Sequence, residues 1–218
     1  MSTNESPVLQ ISNLEFHYDQ PLLDIDDFEI SRGECVGVLG PSGCGKTTFM
    51  HLIAGLLKPA EGQVLINGTD ITQLGESQID RIRGQHIGIV FQRLHLVPAI
   101  SVIDNLLLAQ RLARAPIDRE YALGLLEQLG IADLANQKPH QLSQGQAQRA
   151  AIARSVAHRP TLLVADEPTS ALDDDNAADA MTVLRELTVS TSAALIVVTH
   201  DERVRNRVDR VFSLEGAA

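Results

Sequence analysis

A glycine-rich segment of the chain has the spacing of a phosphate-binding loop. Residues 40–48 read G-P-S-G-C-G-K-T-T, which fits the pattern G-x-x-x-x-G-K-[ST]. The glycines permit backbone angles that side chains forbid, so consecutive N–H groups can surround one anion. Lys46 is expected to reach the β- and γ-phosphates of a nucleotide, and the Thr47 hydroxyl to bind Mg²⁺. The residues expected to contact the nucleotide here are Gly40, Pro41, Ser42, Gly43, Cys44, Gly45, Lys46, Thr47 and Thr48.

Two adjacent carboxylates follow a second apolar run. Asp166 and Glu167 come directly after Leu162–Ala165, which is predicted to be a buried strand. The C-terminal ends of such strands are where α/β sheets bind ligands. Asp166 is therefore expected to hold Mg²⁺, mostly through water, and Glu167 to act as general base on an attacking water. An Asp-Glu pair alone is just as typical of a solvated strand end, but together with Lys46 it indicates nucleotide hydrolysis.

The segment Leu142–Gln146, L-S-Q-G-Q, has two interpretations that are compatible with each other. Ser143 and Gln146 match the capping box S-x-x-[EQ], which begins an ordinary helix. A capped helix N-terminus with a small residue, here Gly145, is also an anion site. Because no phosphate loop adjoins this segment in the sequence, it would serve a phosphate bound elsewhere, for example on another subunit.

The elements that must position these motifs are predicted from apolar periodicity, cap residues and turn residues. Predicted strands and helices alternate, which indicates an α/β fold: a P-loop NTPase core with a mainly parallel sheet, an N-terminal antiparallel β region and an inserted α-helical subdomain. The predicted strands are Val8–Tyr18, Leu22–Ile30, Cys35–Leu39, Gln63–Asn67, Ile87–Phe91, Leu162–Ala165, Ala193–Thr199 and Arg210–Leu214. The predicted helices are Thr47–Leu57, Ser101–Ala113, Asp118–Leu129, Gln146–Ala157 and Asp174–Val189.

Length and composition agree with a single catalytic domain, residues 1–218. The chain has 218 residues, of which 44% are hydrophobic, enough for one large core. Its net charge of −10 argues against a nucleic-acid partner, and its two cysteines give neither a disulfide framework nor a metal spacing. No signal peptide is predicted, and the longest apolar runs, such as Ala193–Val198, are too short to cross a bilayer. A cytosolic protein is expected.

Taken in order, the motifs resemble those of the nucleotide-binding domain of an ATP-binding cassette (ABC) protein. The resemblance runs from about Val8 to Leu214 and rests on Gly40–Thr48, Gln92, Leu142–Gln146, Leu162–Glu167, Ser170–Asp173 and His200. It implies a head-to-tail dimer with two ATP molecules at its interface. Each ATP would be held by the phosphate loop of one subunit and by Ser143, Gly145 and Gln146 of the other, which accounts for the second anion site.

The same resemblance implies roles for four further residues. Tyr18 would stack on adenine, although positions 16 and 17 also carry rings and are alternatives. Gln92 would contact Mg²⁺ and the attacking water, and Asp173 would lie in the loop that links the two sites. His200 would contact the γ-phosphate during catalysis, whereas a lone histidine after a strand is otherwise usually a partly exposed surface residue.

One position departs from the family pattern. Gln144 stands where the family's signature usually has glycine, and glutamine tolerates positive φ poorly. Either this position has an ordinary conformation, or the loop carries strain of about 1 kcal/mol or more. Because Ser143 and Gly145 are retained, phosphate contact is expected to persist.

The segment His95–Asn105 resembles the start of the helical subdomain, approximately 93–157, in bacterial stand-alone subunits; the core with the β region would then comprise approximately 1–92 and 158–218. Such subunits serve lipoprotein release, macrolide-type export or cell-division complexes. The resemblance implies an integral membrane permease subunit as partner, docked near Arg93–Pro98 and Leu106–Leu108 unless the latter belong to the helix core. It also implies a second copy or a paralogous ATPase subunit, no nucleic acid, and a place on the cytoplasmic face of the inner membrane.

Two other classes compete with this interpretation. A soluble non-transport ABC ATPase in translation or DNA repair normally carries a second cassette or a long insertion between the motifs, and this chain shows neither. A P-loop kinase for a small molecule would not need Leu142–Gln146 or Gln92, and would be expected to have an arginine-rich lid.

Overall fold

The structure is a computed structural model that describes residues 6–170 and 174–215. Every predicted strand and helix is found within two residues of its predicted bounds, except that the helix predicted as Thr47–Leu57 ends at Ile53. One α-helix and one short strand of the described residues were not predicted. In chain order the elements are β1 (Leu9–His17), β2 (Pro21–Ile30), β3 (Cys35–Leu39), α1 (Lys46–Ile53), β4 (Glu61–Ile66), β5 (Thr69–Asp70), α2 (Glu76–His86), β6 (Ile87–Val90), α3 (Val102–Leu112), α4 (Arg119–Gln128), α5 (Gln144–Val156), β7 (Leu162–Asp166), α6 (Asp174–Thr191), β8 (Ala194–Thr199) and β9 (Arg210–Ser213).

A five-stranded sheet of order β6-β7-β8-β3-β9 lies at the centre of the fold, and every pairing described within it is parallel. Strands β3 and β8 are buried along their whole length, as expected for continuous apolar runs in a parallel sheet covered on both faces. All five strands run in the same direction. The segments that follow β3, β6, β7 and β8 therefore leave the sheet on the same side, at the carboxyl ends of the strands. Those segments contain the phosphate loop, Gln92, Glu167 and His200.

A four-stranded antiparallel sheet of order β2-β1-β4-β5 forms the predicted N-terminal β region. Strand β2 lies at its edge and buries Leu23, Ile25, Phe28 and Ile30, and its alternation is interrupted at Asp26 and Asp27, which are both exposed. The outward residues of the same strand are the exposed carboxylates Asp24, Asp26, Asp27 and Glu29.

Two clusters of buried apolar side chains pack against the parallel sheet. One joins the antiparallel sheet and α1 to strand residues such as Val164 and Ile196. The other joins helices α3 to α6 to strand residues such as Leu163 and Val197. Since neighbouring residues of a strand point to opposite faces, each cluster covers one face. The helical segment therefore shares its core with the sheet, which fixes α5 relative to β7.

Cap residues begin the helices of the middle segment, as predicted for Ser101 and Ser143. The side chains of Ser101, Asp118 and Ser143 accept hydrogen bonds from backbone N–H groups in the first turns of α3, α4 and α5. Within the described ranges no helix is both long enough and apolar enough to span a membrane.

Candidate active site

The phosphate loop connects the end of β3 to the start of α1 and has the glycine-dependent backbone expected of it. Gly43 and Gly45 have φ of 86° and 93°, in the region that favours glycine. A Cβ on Gly45 would lie 2.7 Å from Cδ2 of Leu23, so the loop is packed directly on β2. The loop is thus held from both sides, by the parallel sheet it leaves and by the antiparallel sheet it touches.

Lys46 is the first residue of α1 and is 9% exposed. Its Nζ donates hydrogen bonds to the carbonyl oxygens of Gly40 at 2.8 Å and Pro41 at 2.9 Å. These bonds fold the side chain back along its own loop. An ammonium group carries three N–H donors, so this arrangement leaves one that can be directed at an anion in the loop.

Cys44 lies in the phosphate loop and is only 6% exposed. A Cβ on Gly40 would lie 2.6 Å from its Sγ, which shows how closely the thiol packs against the first residue of the loop. Any contact of Cys44 with a phosphate is therefore expected to come from its backbone N–H.

Alkylation of Cys44 by N-ethylmaleimide is expected to proceed slowly and to block ATP hydrolysis, with ATP protecting. The added group cannot fit beside Gly40 without displacing the loop. Cys35 serves as an internal reference, because burial raises the pKa of its thiol to about 12 and makes it unreactive. ATP hydrolysis and the mass of the modified peptides would be followed together. If Cys44→Ser hydrolyses ATP yet stays equally sensitive, the explanation is wrong.

Asp166 ends β7 in the position predicted for a metal ligand. Burial raises the pKa of Asp166 above its ordinary value, and the neighbouring carboxylate of Glu167 adds to this, while His51 and Lys46 act in the opposite direction. A partly desolvated carboxylate suits Mg²⁺, a hard cation that prefers oxygen ligands. The described residues contain no group of three or more metal-binding side chains. A Mg²⁺ ion would use Asp166, the Thr47 hydroxyl and Gln92, together with water and phosphate oxygens.

Glu167 follows β7 and has its carboxylate held on both oxygens. Thr199 Oγ1 lies 2.7 Å from Oε2, and His200 Nδ1 lies 2.7 Å from Oε1. The Glu167 side chain is 15% exposed and that of His200 60%. The backbone of Glu167 has φ of 48°, unusual for a residue with a side chain, and its N–H donates to the carbonyl of Val198 at 2.8 Å. Such a constrained conformation at a predicted general base is typical of a functional site.

His200 therefore lies next to Glu167, a contact that the sequence did not predict. An ionised carboxylate can only accept hydrogen bonds, so Nδ1 must carry a proton in this pair. The predicted contact of His200 with the γ-phosphate then requires a proton on Nε2 as well, because phosphate oxygens only accept hydrogen bonds and both ring nitrogens donate only in the imidazolium.

Gln92 follows β6 and is connected to Glu167 through the side chain of Ser170. Its Nε2 lies 3.5 Å from Ser170 Oγ, and that hydroxyl donates to the carbonyl oxygen of Glu167 at 3.1 Å. Gln92, Glu167 and Ser170 line one small cavity together with Gln144 and Gln148. The structure thus brings the predicted Gln92 close to the predicted general base.

The predicted capping box at the start of α5 is present. Ser143 Oγ accepts from the N–H of Gln146 at 3.3 Å, and the side-chain oxygen of Gln146 accepts from the N–H of Ser143 at 2.9 Å. Gln144 is the first residue of the helix and is not among the described residues with positive φ, so the ordinary conformation, without backbone strain, is the correct alternative. Ser143 and Gly145 are exposed.

Tyr18 lies in the turn between β1 and β2 and is 62% exposed. Its ring packs edge-on against Phe16, with ring centroids 4.9 Å apart, while Phe16 itself is buried. Of these two rings, Tyr18 is the one that a base could stack on. The remaining predicted site residue, Asp173, lies outside the described residues.

Two residues that the sequence analysis did not single out connect the loops around Glu167. Thr199 is fully buried, and its hydroxyl lies between the Glu167 carboxylate and the backbone N–H of Asp201. The carboxylate of Asp201 accepts hydrogen bonds from Arg203 and from the hydroxyl of Thr169. These contacts, above all the one with Arg203, lower the pKa of Asp201 to about 2. Both residues flank His200 in the sequence, but nothing in their types alone indicates these contacts.

Comparison with known proteins relates the chain to one family. A family model described as ABC transporter matches residues 23–170. An uncharacterized ABC transporter ATP-binding protein from Mycobacterium tuberculosis is 40% identical over 220 residues, covering 98% of this chain and 89% of that protein. The lipoprotein-releasing system ATP-binding protein LolD from Legionella pneumophila is 38% identical over 190 residues, covering 86% and 84%.

A solved structure is also similar to this chain over nearly its whole length. The dimeric ATP-binding cassette MJ0796, in a post-hydrolysis state bound to ADP and Pi, superposes with a TM-score of 0.83 at 34% identity and covers 95% of this chain and 94% of that one. Together these relatives favour a transporter cassette over the translation, repair and kinase alternatives.

Proposed function

The chain belongs to the ABC transporter ATP-binding family, and from this premise we propose how its residues hydrolyse ATP and drive a membrane partner. The protein is an ATP-binding subunit of the transporter type and an ATPase. The observation that carries the assignment of roles is the carboxylate of Glu167, fixed by Thr199 and His200 one residue after Asp166.

Glu167 is the general base of this proposal. Its carboxylate is bound through one lone pair on each oxygen, which leaves the others to accept a hydrogen bond from water. Proton transfer to a positioned side chain contributes about 10² to 10⁴ in rate. His200 keeps the carboxylate in place through Nδ1 and, as an imidazolium, donates from Nε2 to the γ-phosphate, while Gln92 helps to orient the water.

Binding of the triphosphate falls to the phosphate loop, Gly40–Thr48, with Tyr18 stacking on the adenine. The loop N–H groups and the N-terminus of α1 attract the phosphates, and Lys46 supplies the positive charge. Asp166, Thr47 and Gln92 would hold Mg²⁺, which when bound neutralises charge on the phosphate oxygens. The raised pKa of Asp166, caused first by burial, supports this role because a cation would offset the lost solvation.

The second half of each site comes from another subunit in this proposal, either a second copy or a paralogous ATPase. Ser143, Gly145 and Gln146 form an exposed or partly exposed helix N-terminus suited to an anion. A dimeric arrangement is supported by the similar cassette MJ0796, which forms a dimer bound to ADP and Pi. Asp173 would lie in the loop that links the two nucleotides.

The surface proposed for the membrane partner is the segment Arg93–Pro98. Asn105, 1% exposed, holds this segment by accepting from the N–H of Val97 at 2.7 Å and donating to the carbonyl of Val97 at 3.2 Å. Val97 itself is 38% exposed, whereas Leu106 is fully buried and belongs to the helix core. Val97 is the side chain of this segment that we assign to the contact with the partner.

The partner is proposed to be an integral membrane permease, as the similarity to a lipoprotein-releasing system protein supports. The subunit would then act at the cytoplasmic face of the inner membrane, without a nucleic-acid partner. We assign residues of approximately 93–157 to a helical subdomain within a single domain of residues 1–218, the rest of which, approximately 1–92 and 158–218, forms the core.

An affinity capture from detergent-solubilised membranes tests this function. Tagged Glu167→Gln, with ATP and Mg²⁺, is expected to retain a multi-span membrane protein identified by mass spectrometry. Adding Val97→Asp should abolish the capture, because it places a charge in the apolar contact. Val189→Asp is the matched control, since Val189 is 75% exposed on α6. Capture of only ribosomal or repair proteins would contradict the proposal. So would equal capture of the membrane protein by the Val97→Asp and Val189→Asp variants.

A further inference from the structure

The hydroxyl group of Thr199 is placed where it can act on catalysis without touching substrate. Thr199 ends β8, is fully buried, and contacts the Glu167 carboxylate through Oγ1 at 2.7 Å. The same oxygen lies 3.0 Å from the backbone N–H of Asp201. A threonine hydroxyl has one proton and two acceptor positions. Since the N–H of Asp201 occupies an acceptor position, and an ionised carboxylate only accepts, the hydroxyl proton is directed at Glu167.

We propose that Thr199 is a positioning residue that holds the carboxylate of Glu167 in the orientation needed to activate water. This inference rests on the proposed role of Glu167 as general base. Rotation of the carboxylate would break a short hydrogen bond between two partly or fully buried groups, and an unpaired buried oxygen is costly. The hydroxyl therefore restricts Glu167 to one rotational setting.

His200 cannot supply this restraint alone. It binds the other carboxylate oxygen but is 60% exposed, and it is also proposed to contact the γ-phosphate. A largely exposed side chain that also contacts the nucleotide is a weak anchor, whereas Thr199 has no exposed surface. Thr199 accordingly maintains the orientation of Glu167 whenever His200 shifts toward the nucleotide.

Hydrogen bonds also connect Thr199, through Asp201, to the segment that follows Glu167. Asp201 binds the hydroxyl of Thr169 at 2.7 Å, and Thr169 comes two residues after Glu167. Arg203 donates to both carboxylate oxygens of Asp201 at 3.0 Å or less. Charge-assisted hydrogen bonds of this kind are among the stronger ones in proteins. The two segments that carry the base and its anchor are thereby tied to each other.

A pair of substitutions separates the hydroxyl from the shape of Thr199. Thr199→Val keeps the shape and removes the hydroxyl, and is expected to lower kcat for ATP roughly 10-fold with KM unchanged, as a misplaced catalytic group would. Thr199→Ser keeps the hydroxyl and removes the methyl group, and should stay near the parent rate. In a Glu167→Gln background, Thr199→Val should have no further effect on the residual rate, because it acts through Glu167.

Three results would overturn the proposal: unchanged kcat in Thr199→Val, Thr199→Ser as slow as Thr199→Val, or an equal loss in both backgrounds. If Thr199→Val does not fold, Thr199→Ala removes the same hydroxyl and its comparison with Thr199→Ser decides. Near-parent turnover in Glu167→Gln alone would instead overturn the proposed role of Glu167. Retained activity in Thr199→Val alone would thus contradict the role of Thr199, whereas retained activity in Glu167→Gln would contradict the role of Glu167.

Discussion

Glu167→Gln is expected to bind ATP as the parent does and to lose hydrolysis by about 10²-fold or more, the usual scale for removing a general base. The amide keeps one oxygen for the hydroxyl of Thr199, so the side chain retains its place while losing the ability to take a proton. With ATP still bound and turnover blocked, the dimer is expected to remain closed. Phosphate release, nucleotide binding and size-exclusion chromatography with ATP and Mg²⁺ would measure these effects.

Glu61→Gln provides the matched control for this variant. Glu61 is an exposed residue at the start of β4, so the same change of charge is made far from the carboxylate network. It should leave hydrolysis and elution unchanged. A near-normal rate in Glu167→Gln would remove Glu167 from the mechanism, whatever the state of the dimer.

Lys46→Ala is expected to weaken ATP binding by about 10- to 100-fold, the effect of losing one hydrogen bond to a charged group. The substitution removes the ammonium group and also two bonds to the carbonyls of Gly40 and Pro41, so the loop itself loses an internal tie. Binding of a fluorescent ATP analogue and competition by ATP would measure the dissociation constant directly.

Lys58→Ala removes the same charge from an exposed position and should bind ATP as the parent does. If Lys46→Ala bound ATP with parental affinity and lost only hydrolysis, the lysine would act in the transition state and not in binding. That outcome would contradict the binding role and reassign Lys46 to catalysis.

Most strands and helices could be predicted because their sequences have strong local signals. Strand β3 is a continuous apolar run, and α3 and α5 begin at serine caps. Helix α2 was not predicted: it has a single weak apolar stripe, Ile79 and Ile82, and none of its residues is fully buried. Its formation depends on what it packs against, which periodicity alone does not reveal.

The site was predicted where a motif fixes the chemistry and was missed where contacts depend on tertiary structure. The phosphate loop, Asp166 and Glu167 follow from residue types and spacing. The contacts of Glu167 with His200 and with Thr199 arise because β7 and β8 are neighbours in the sheet. Strand order is not encoded in any one segment, so these pairs become visible only in the folded chain.

The acidic outer face of β2 has a consequence for how the protein behaves in a crowded solution. An edge strand offers unpaired backbone groups to any other strand, and this one begins with proline and carries a row of carboxylates. Two copies that approached edge to edge would bring like charges together and repel one another. The opposite edge, β5, is only two residues long and offers little to pair with. The repulsion between these carboxylates thus opposes strand-to-strand aggregation of the antiparallel sheet. Because exposed charges are screened by salt, this repulsion is expected to be strong at low ionic strength and weak at high ionic strength.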